Sequence, residues 1–151
     1  MQRTNEQQIA TFTHISALSQ FLIPFGNFIL PIVIWTSNRE RSAYIDQQGK
    51  ECINFQLSSF LYLLICALVA VPTFLFALMS GGELHRHGHH FNMHHMEWSF
   101  TEVSIPLVVA IVAVILAGLI KAAEVLLTIY AAVKTSGGDD FRYPATIRFL
   151  K

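Results

Sequence analysis

The chain has 151 residues, of which 53% are hydrophobic and 13% charged, and its ten basic and ten acidic residues give a formal net charge of zero. A soluble domain usually carries roughly 25% charged residues, and the mean hydropathy here is +0.47. The length leaves room for one compact domain, no basic block points to nucleic acid, and the balance is that of an integral membrane protein with short loops.

Residues 1–13 form a polar tail, helical toward its end. They lack the charged start, apolar centre and cleavage site of a signal peptide, so the tail is expected to be retained. Residues 14–37, HISALSQFLIPFGNFILPIVIWTS, are a first membrane segment interrupted by Pro24, Gly26, Asn27 and Pro31. Proline inside a helix removes a hydrogen bond and clashes with the preceding turn. In lipid the freed carbonyls then need other partners. The segment is therefore one kinked span or a re-entrant pair of half-helices around IPFGN. His14, at its start, reads as a capping or interfacial residue.

Residues 38–52 are a charged loop and a short interfacial helix, with Tyr44 and Ile45 toward the headgroups and Asp46 and Gln47 toward water. Asp46, Lys50 and Glu51 are placed for a local ion-pair network at the entry to the next helix. Residues 53–79 contain no Asp, Glu, Lys, Arg or His and exceed the about 20 residues a spanning helix needs. Pro72 is expected to kink this second membrane helix. Asn54 and Ser58 share one of its faces and Gln56 lies on another, as hydrogen-bonding partners for neighbouring helices. Cys52 and Cys66 form no CxxC motif and read as small apolar fillers.

Residues 80–103 are an external loop in which Gly81 and Gly82 end the helix. His85, His87, His89, His90, His94 and His95 follow within eleven residues, beside Met93, Met96, Glu83 and Glu97. Neutral imidazole suits Zn, Cu and Ni, yet a structural zinc site has four ligands at defined spacing. Three readings stay open: a compositionally biased loop without a dedicated role, adaptable metal capture, or a loop that charges near pH 6. Trp98 and Phe100 fit an aromatic belt.

Residues 104–133 form the third membrane helix, with Pro106 in its first turn. Ala110, Ala113, Ala117, Gly118 and Ala122 make a small-residue face suited to close helix packing, on the second helix or on a partner. Lys121 and Glu124 are an intramembrane polar pair at i,i+3 spacing, and Thr128 extends the face of Glu124. Either they form a polar site or proton relay within the bundle, or Lys121 snorkels and Glu124 is already in water. Residues 134–151 are an aromatic and basic tail suited to the interface. Lys and Arg are concentrated in the loop 38–52 and after Val133, which places both on the cytoplasmic side and the His-rich loop outside, in the periplasm of a Gram-negative inner membrane.

Three stretches carry a family resemblance: HISALSQFLIPFGNFILPIVIW, YIDQQGKECINFQ and AAVKTSGGDDFRYPATIRFL. Their most specific residues are Asp46, Gly49, Lys50, Glu51, Asn54, Phe55 and Gln56, then Arg142, Tyr143 and Pro144. The chain resembles a small bacterial membrane-protein family that is itself similar to the twenty-kilodalton component of the chloroplast inner-envelope import translocon. The resemblance implies a compact bundle of three or four helices and a role near protein translocation. It offers no catalytic residue. At the place of Gly49 the family pattern has a small residue, often Ala, and the His-rich loop departs from the pattern.

The fold expected is all-α: a compact membrane bundle of three transmembrane helices, the first kinked or re-entrant, plus a short interfacial helix. No GxSxG, HExxH or Walker pattern is present. The expected function is that of a non-enzymatic assembly, scaffold or translocation-associated subunit, with the bilayer and a membrane protein or second copy as partners and no cofactor. The alternative is a metal-ion or proton transporter or sensor that collects Zn, Cu or Ni at the His-rich loop.

Overall fold

A computed structural model describes the backbone of residues 2–86 and 93–150 and the side chains of residues 4–79 and 105–150. The described chain is helical. It contains α1 (Gln2–Ser16), a 3-10 turn (Ala17–Phe21), α2 (Gly26–Asn38), a second 3-10 turn (Arg39–Arg41), α3 (Ala43–Arg86) and α4 (Met93–Ser136). Two compact units result: Met1–Leu61 with Lys121–Lys151, and Tyr62–Ile120.

Among the described residues two helices are long and apolar enough to cross a membrane, over Ala43–Met79 and Ile105–Ser136. Only 6% and 11% of their most apolar windows are buried. A core helix of a soluble protein would be mostly covered, whereas here Leu68, Phe76, Met79, Ile111, Val114 and Leu119 are exposed. The buried polar side chains, by contrast, all lie in the first unit among the described residues. Apolar residues outside and polar residues inside suit a hydrocarbon surround, where each buried polar group must find its partner within the protein.

The three-span count is not confirmed, and the first segment is broken rather than one continuous helix. Residues 14–37 divide between the end of α1, a turn, and α2. The break falls at Pro24, which disfavours helical backbone at Ile23, and Phe25 takes φ 60° in the left-handed region. α2 has 13 residues, or about 20 Å of rise, which is short of the about 30 Å hydrocarbon core. Pro31 is accommodated inside α2.

Other boundaries move as well. The polar tail is a helix whose inner face, Ala10, Thr13 and His14, is buried. The separate interfacial helix is absorbed into the start of α3, and Ile45 is buried in protein rather than dipping into headgroups. Gly81 and Gly82 do not end α3, which continues to Arg86, and Pro106 lies inside α4 rather than in its first turn.

In the first unit α3 is covered on all sides over residues 51–56. The C-terminal tail is part of that cover. Phe141 and Tyr143 are buried with Phe55 and Ala131 in one cluster, and Leu127 packs against it. Phe55 and Tyr143 stack at 4.0 Å between ring centroids, and Phe141 meets Tyr143 edge-on at 4.9 Å. Such pairs contribute about 0.5–1.5 kcal/mol each beyond their burial. In the second unit Ala77, Ala110 and Ala113 are buried. Gly118 has nothing within 4 Å of a Cβ built on it, and Ala122, in the first unit, is exposed. The small-residue face is thus used only in part.

Candidate functional site

The polar interior of the first unit is built from side chains of α1, the turn after it, α2, α3, α4 and the C-terminal tail. His14 on α1 places Nδ1 2.9 Å from the Tyr143 hydroxyl and Nε2 3.3 Å from the Gln48 amide. Gln48 is satisfied when its amide N donates to the Phe141 carbonyl (3.3 Å) and its O accepts from the Phe141 N–H (3.1 Å). That orientation turns the amide N toward His14 Nε2, so Nε2 accepts and Nδ1–H donates to Tyr143. Burial pushes the His14 imidazole down to about 4 and the Tyr143 phenol well above its ordinary value. His14 is therefore a neutral structural hub, not the capping or interfacial residue expected.

Lys121 and Glu124 do form an ion pair, at 3.0 Å, with the Lys121 side chain 41% exposed and that of Glu124 1% exposed. Glu124 is buried, which corrects the reading that it is already in water. Gln20, in the turn after α1, closes the pair into a triad. Its amide N donates to Glu124 Oε1 at 3.0 Å, and its carbonyl accepts from Lys121 Nζ at 2.6 Å. The pair was legible from its spacing, whereas Gln20 stands 101 residues from Lys121 and gives no local signal.

Asn54 and Ser58 bind the C-terminal segment rather than a neighbouring helix. Asn54 Oδ1 accepts from the N–H groups of Phe149 (3.1 Å) and Leu150 (2.8 Å), and Nδ2 donates to the Leu150 carbonyl (3.0 Å). Ser58 Oγ accepts from the Ile147 N–H at 2.8 Å. Gln56 Oε1 accepts from Asn27 at 3.1 Å, while its buried amide N has no partner among the described residues.

A charged cavity of about 250 Å³ opens beside this clasp, lined by Asp46, Lys50, Glu51, Asn54, Arg142 and Arg148 among others. Asp46 and Lys50 pair at 2.7 Å, and Asp46 also accepts from the Trp35 indole at 2.9 Å. Glu51 does not join the expected network. It is 9% exposed and has no ion pair or hydrogen bond with a described residue.

Residues 5–150 match the magnetosome magnetite crystal formation protein family (MamF/MmsF). The chain belongs to that family. The matched residues include the triad, the tail clasp and the charged cavity. A small bacterial membrane family was expected and is found, but the comparison lends no support to a similarity with the chloroplast translocon component. No curated protein and no solved structure matches.

The histidines expected as ligands, His85, His87, His89, His90, His94 and His95, lie outside the described residues as regards their side chains. Among the described residues no group of three or more His, Cys, Asp or Glu is placed to hold a metal ion. Cys52 is buried, its thiol 3.6 Å from the Thr13 carbonyl, and Cys66 is half-buried. Gln20, Gln48, Tyr143, Arg142 and Arg148 were not singled out as site residues from the sequence. The Arg-Tyr-Pro run at 142–144 was noticed only through the family pattern.

Proposed function

We propose that this chain is a non-enzymatic membrane subunit that supports magnetite crystal formation as an assembly or scaffold component of the magnetosome membrane. Membership of the magnetite crystal formation family over residues 5–150 carries this reading. The polar interior supports it: the His14, Gln20, Lys121, Glu124 and Asn54 side chains are engaged with one another and with the tail, as in a fold held rigid. Two apolar helices anchor the protein in lipid. Exposed Gly118 and Ala122 on α4 are suited to a helix of a partner or second copy. The Lys and Arg distribution favours the loop 38–52 and the C-terminal tail on the cytoplasmic side of the membrane.

The test is deletion of the gene in a magnetosome-forming bacterium and complementation with the intact gene. Electron microscopy would read crystal number and size, and a fluorescent fusion would read location. Defective crystals restored by the gene, with the fusion on the magnetosomes, are expected. Unchanged crystals, or a fusion spread evenly over other membranes, would overturn the proposal.

A further inference from the structure

The charged cavity is unbalanced in a way that specifies a ligand. Glu51 is nine-tenths buried and lines it without a hydrogen bond or ion pair to any described residue. Its carboxylate oxygens are not sealed in the protein but open onto the cavity, where a ligand's donor reaches them. Arg142 and Arg148 line the same cavity, exposed, and likewise make no ion pair with a described residue. Lys50 and Asp46 already satisfy each other.

A bare metal ion suits Glu51 but would sit among three cationic side chains. A simple anion suits the arginines, whose planar forks match phosphate oxygens, but would meet the Glu51 carboxylate. A ligand carrying an ammonium and a phosphate a few bonds apart satisfies both. The volume is below the about 300 Å³ at which drug-sized pockets begin, so a headgroup-sized fragment fits better than a larger molecule. Along α3 the lining residues 46–54 directly precede the long apolar run, where basic side chains meet lipid headgroups.

We propose that the cavity formed by Glu51, Arg142 and Arg148 binds an aminoethyl phosphate group, such as the headgroup of phosphatidylethanolamine or free phosphoethanolamine. Glu51 takes the primary ammonium, and the two arginines take the phosphate. The primary ammonium matters because its N–H groups donate to Glu51, whereas the quaternary ammonium of phosphatidylcholine has no donor.

The experiment uses the full-length protein in mild detergent and titrates it with short-chain phosphatidylethanolamine, phosphatidylcholine and phosphatidylglycerol, and with phosphoethanolamine. Binding is read by native mass spectrometry. Phosphatidylethanolamine is expected to bind about tenfold more tightly than phosphatidylcholine, the worth of one charge-assisted hydrogen bond. Glu51→Gln should abolish that preference and leave phosphatidylglycerol binding intact or improved. Arg142→Gln with Arg148→Gln, both at exposed positions, should weaken phosphatidylethanolamine and phosphatidylglycerol alike. Competition by phosphoethanolamine at matched concentration would identify a soluble phosphate ester as the ligand source. Competition by the lipid alone would identify the bilayer. Equal binding of phosphatidylethanolamine and phosphatidylcholine by the native protein, or a preference that survives Glu51→Gln in a protein eluting like the native one, would overturn the proposal.

Discussion

His14 and Tyr143 stand 129 residues apart in the chain and meet at 2.9 Å in the buried interior of the first unit. The contact ties α1 to the C-terminal tail. It also fixes the charge state, because an imidazole there can donate to Tyr143 and accept from Gln48 only when neutral. His14 sits on α1, outside the two spanning helices.

Stability should therefore fall in mild acid. The folded-state value for His14 is about 4, against 6.5 for the free side chain. The unfolded chain thus binds more protons between these values. The contribution is complete above about pH 6.5, declines as pH falls, and is used up near pH 4. The shift corresponds to about 3 kcal/mol across that window. Unfolding midpoints measured from pH 7.5 to 4.5 should drop for the native protein and drop much less for His14→Gln. Parallel pH profiles for the two would refute the assignment.

Asn54 acts as a clasp, its one amide satisfying three backbone groups of Phe149 and Leu150. Asn54→Ala should free the tail end, at a cost of about 1–3 kcal/mol for the polar groups left unpaired. Hydrogen exchange is the direct readout: amides 147–150 should lose protection while the apolar run of α3 keeps it. Unaltered exchange at 147–150 would mean that the tail is held by other contacts.

The membrane class and the two long helices were legible because an apolar run such as 53–79 has few alternatives. The tail was not. Phe141 and Tyr143 have the composition of an interfacial anchor, and contacts with distant segments make them core: Phe55 stacks on Tyr143, His14 bonds its hydroxyl, and Gln48 bonds the Phe141 backbone. The start of α3 was misplaced for a similar reason. Its charged residues 46–51 look like a surface segment, yet Gln48 and Glu51 are buried, Gln48 between His14 on α1 and Phe141 in the tail. Spacing within one helix revealed the Lys121–Glu124 pair, but Gln20, Gln48 and the arginine side of the cavity depend on contacts between segments far apart in the chain.

Gly49 is tolerated in α3 because Trp35 occupies the space a side chain would need. A Cβ there would lie 2.6 Å from the Trp35 ring carbon Cγ, and closer still to Cδ1. Gly49→Ala should displace the indole and break its bond to Asp46. The expected cost is about 1–3 kcal/mol, as for other overpacked sites. In a Trp98→Phe background, the remaining Trp35 emission should change on Gly49→Ala, and the unfolding midpoint should fall. An unchanged spectrum with unchanged stability would show that α2 shifts freely to make room.

The triad of Gln20, Lys121 and Glu124 makes a prediction about coupling. Removing Lys121 leaves a buried carboxylate with Gln20 as its donor. Lys121→Met should therefore destabilise by about 1–3 kcal/mol, below the 3–5 of a fully buried pair because the Lys121 side chain is 41% exposed. Adding Glu124→Met to that variant removes the stranded charge and should recover most of the loss, since well-packed apolar pairs replace buried ion pairs at little cost. Gln20→Ala should cost about 1 kcal/mol in the native background and close to nothing in the double variant, because Gln20 then has no partner to lose. Unfolding in mixed detergent micelles would measure the native protein, the three single variants (Glu124→Met alone included), the double and the triple on one scale. Additive losses for Lys121→Met and Glu124→Met would show that the two side chains act independently, and the triad would then be a contact of geometry without energetic coupling.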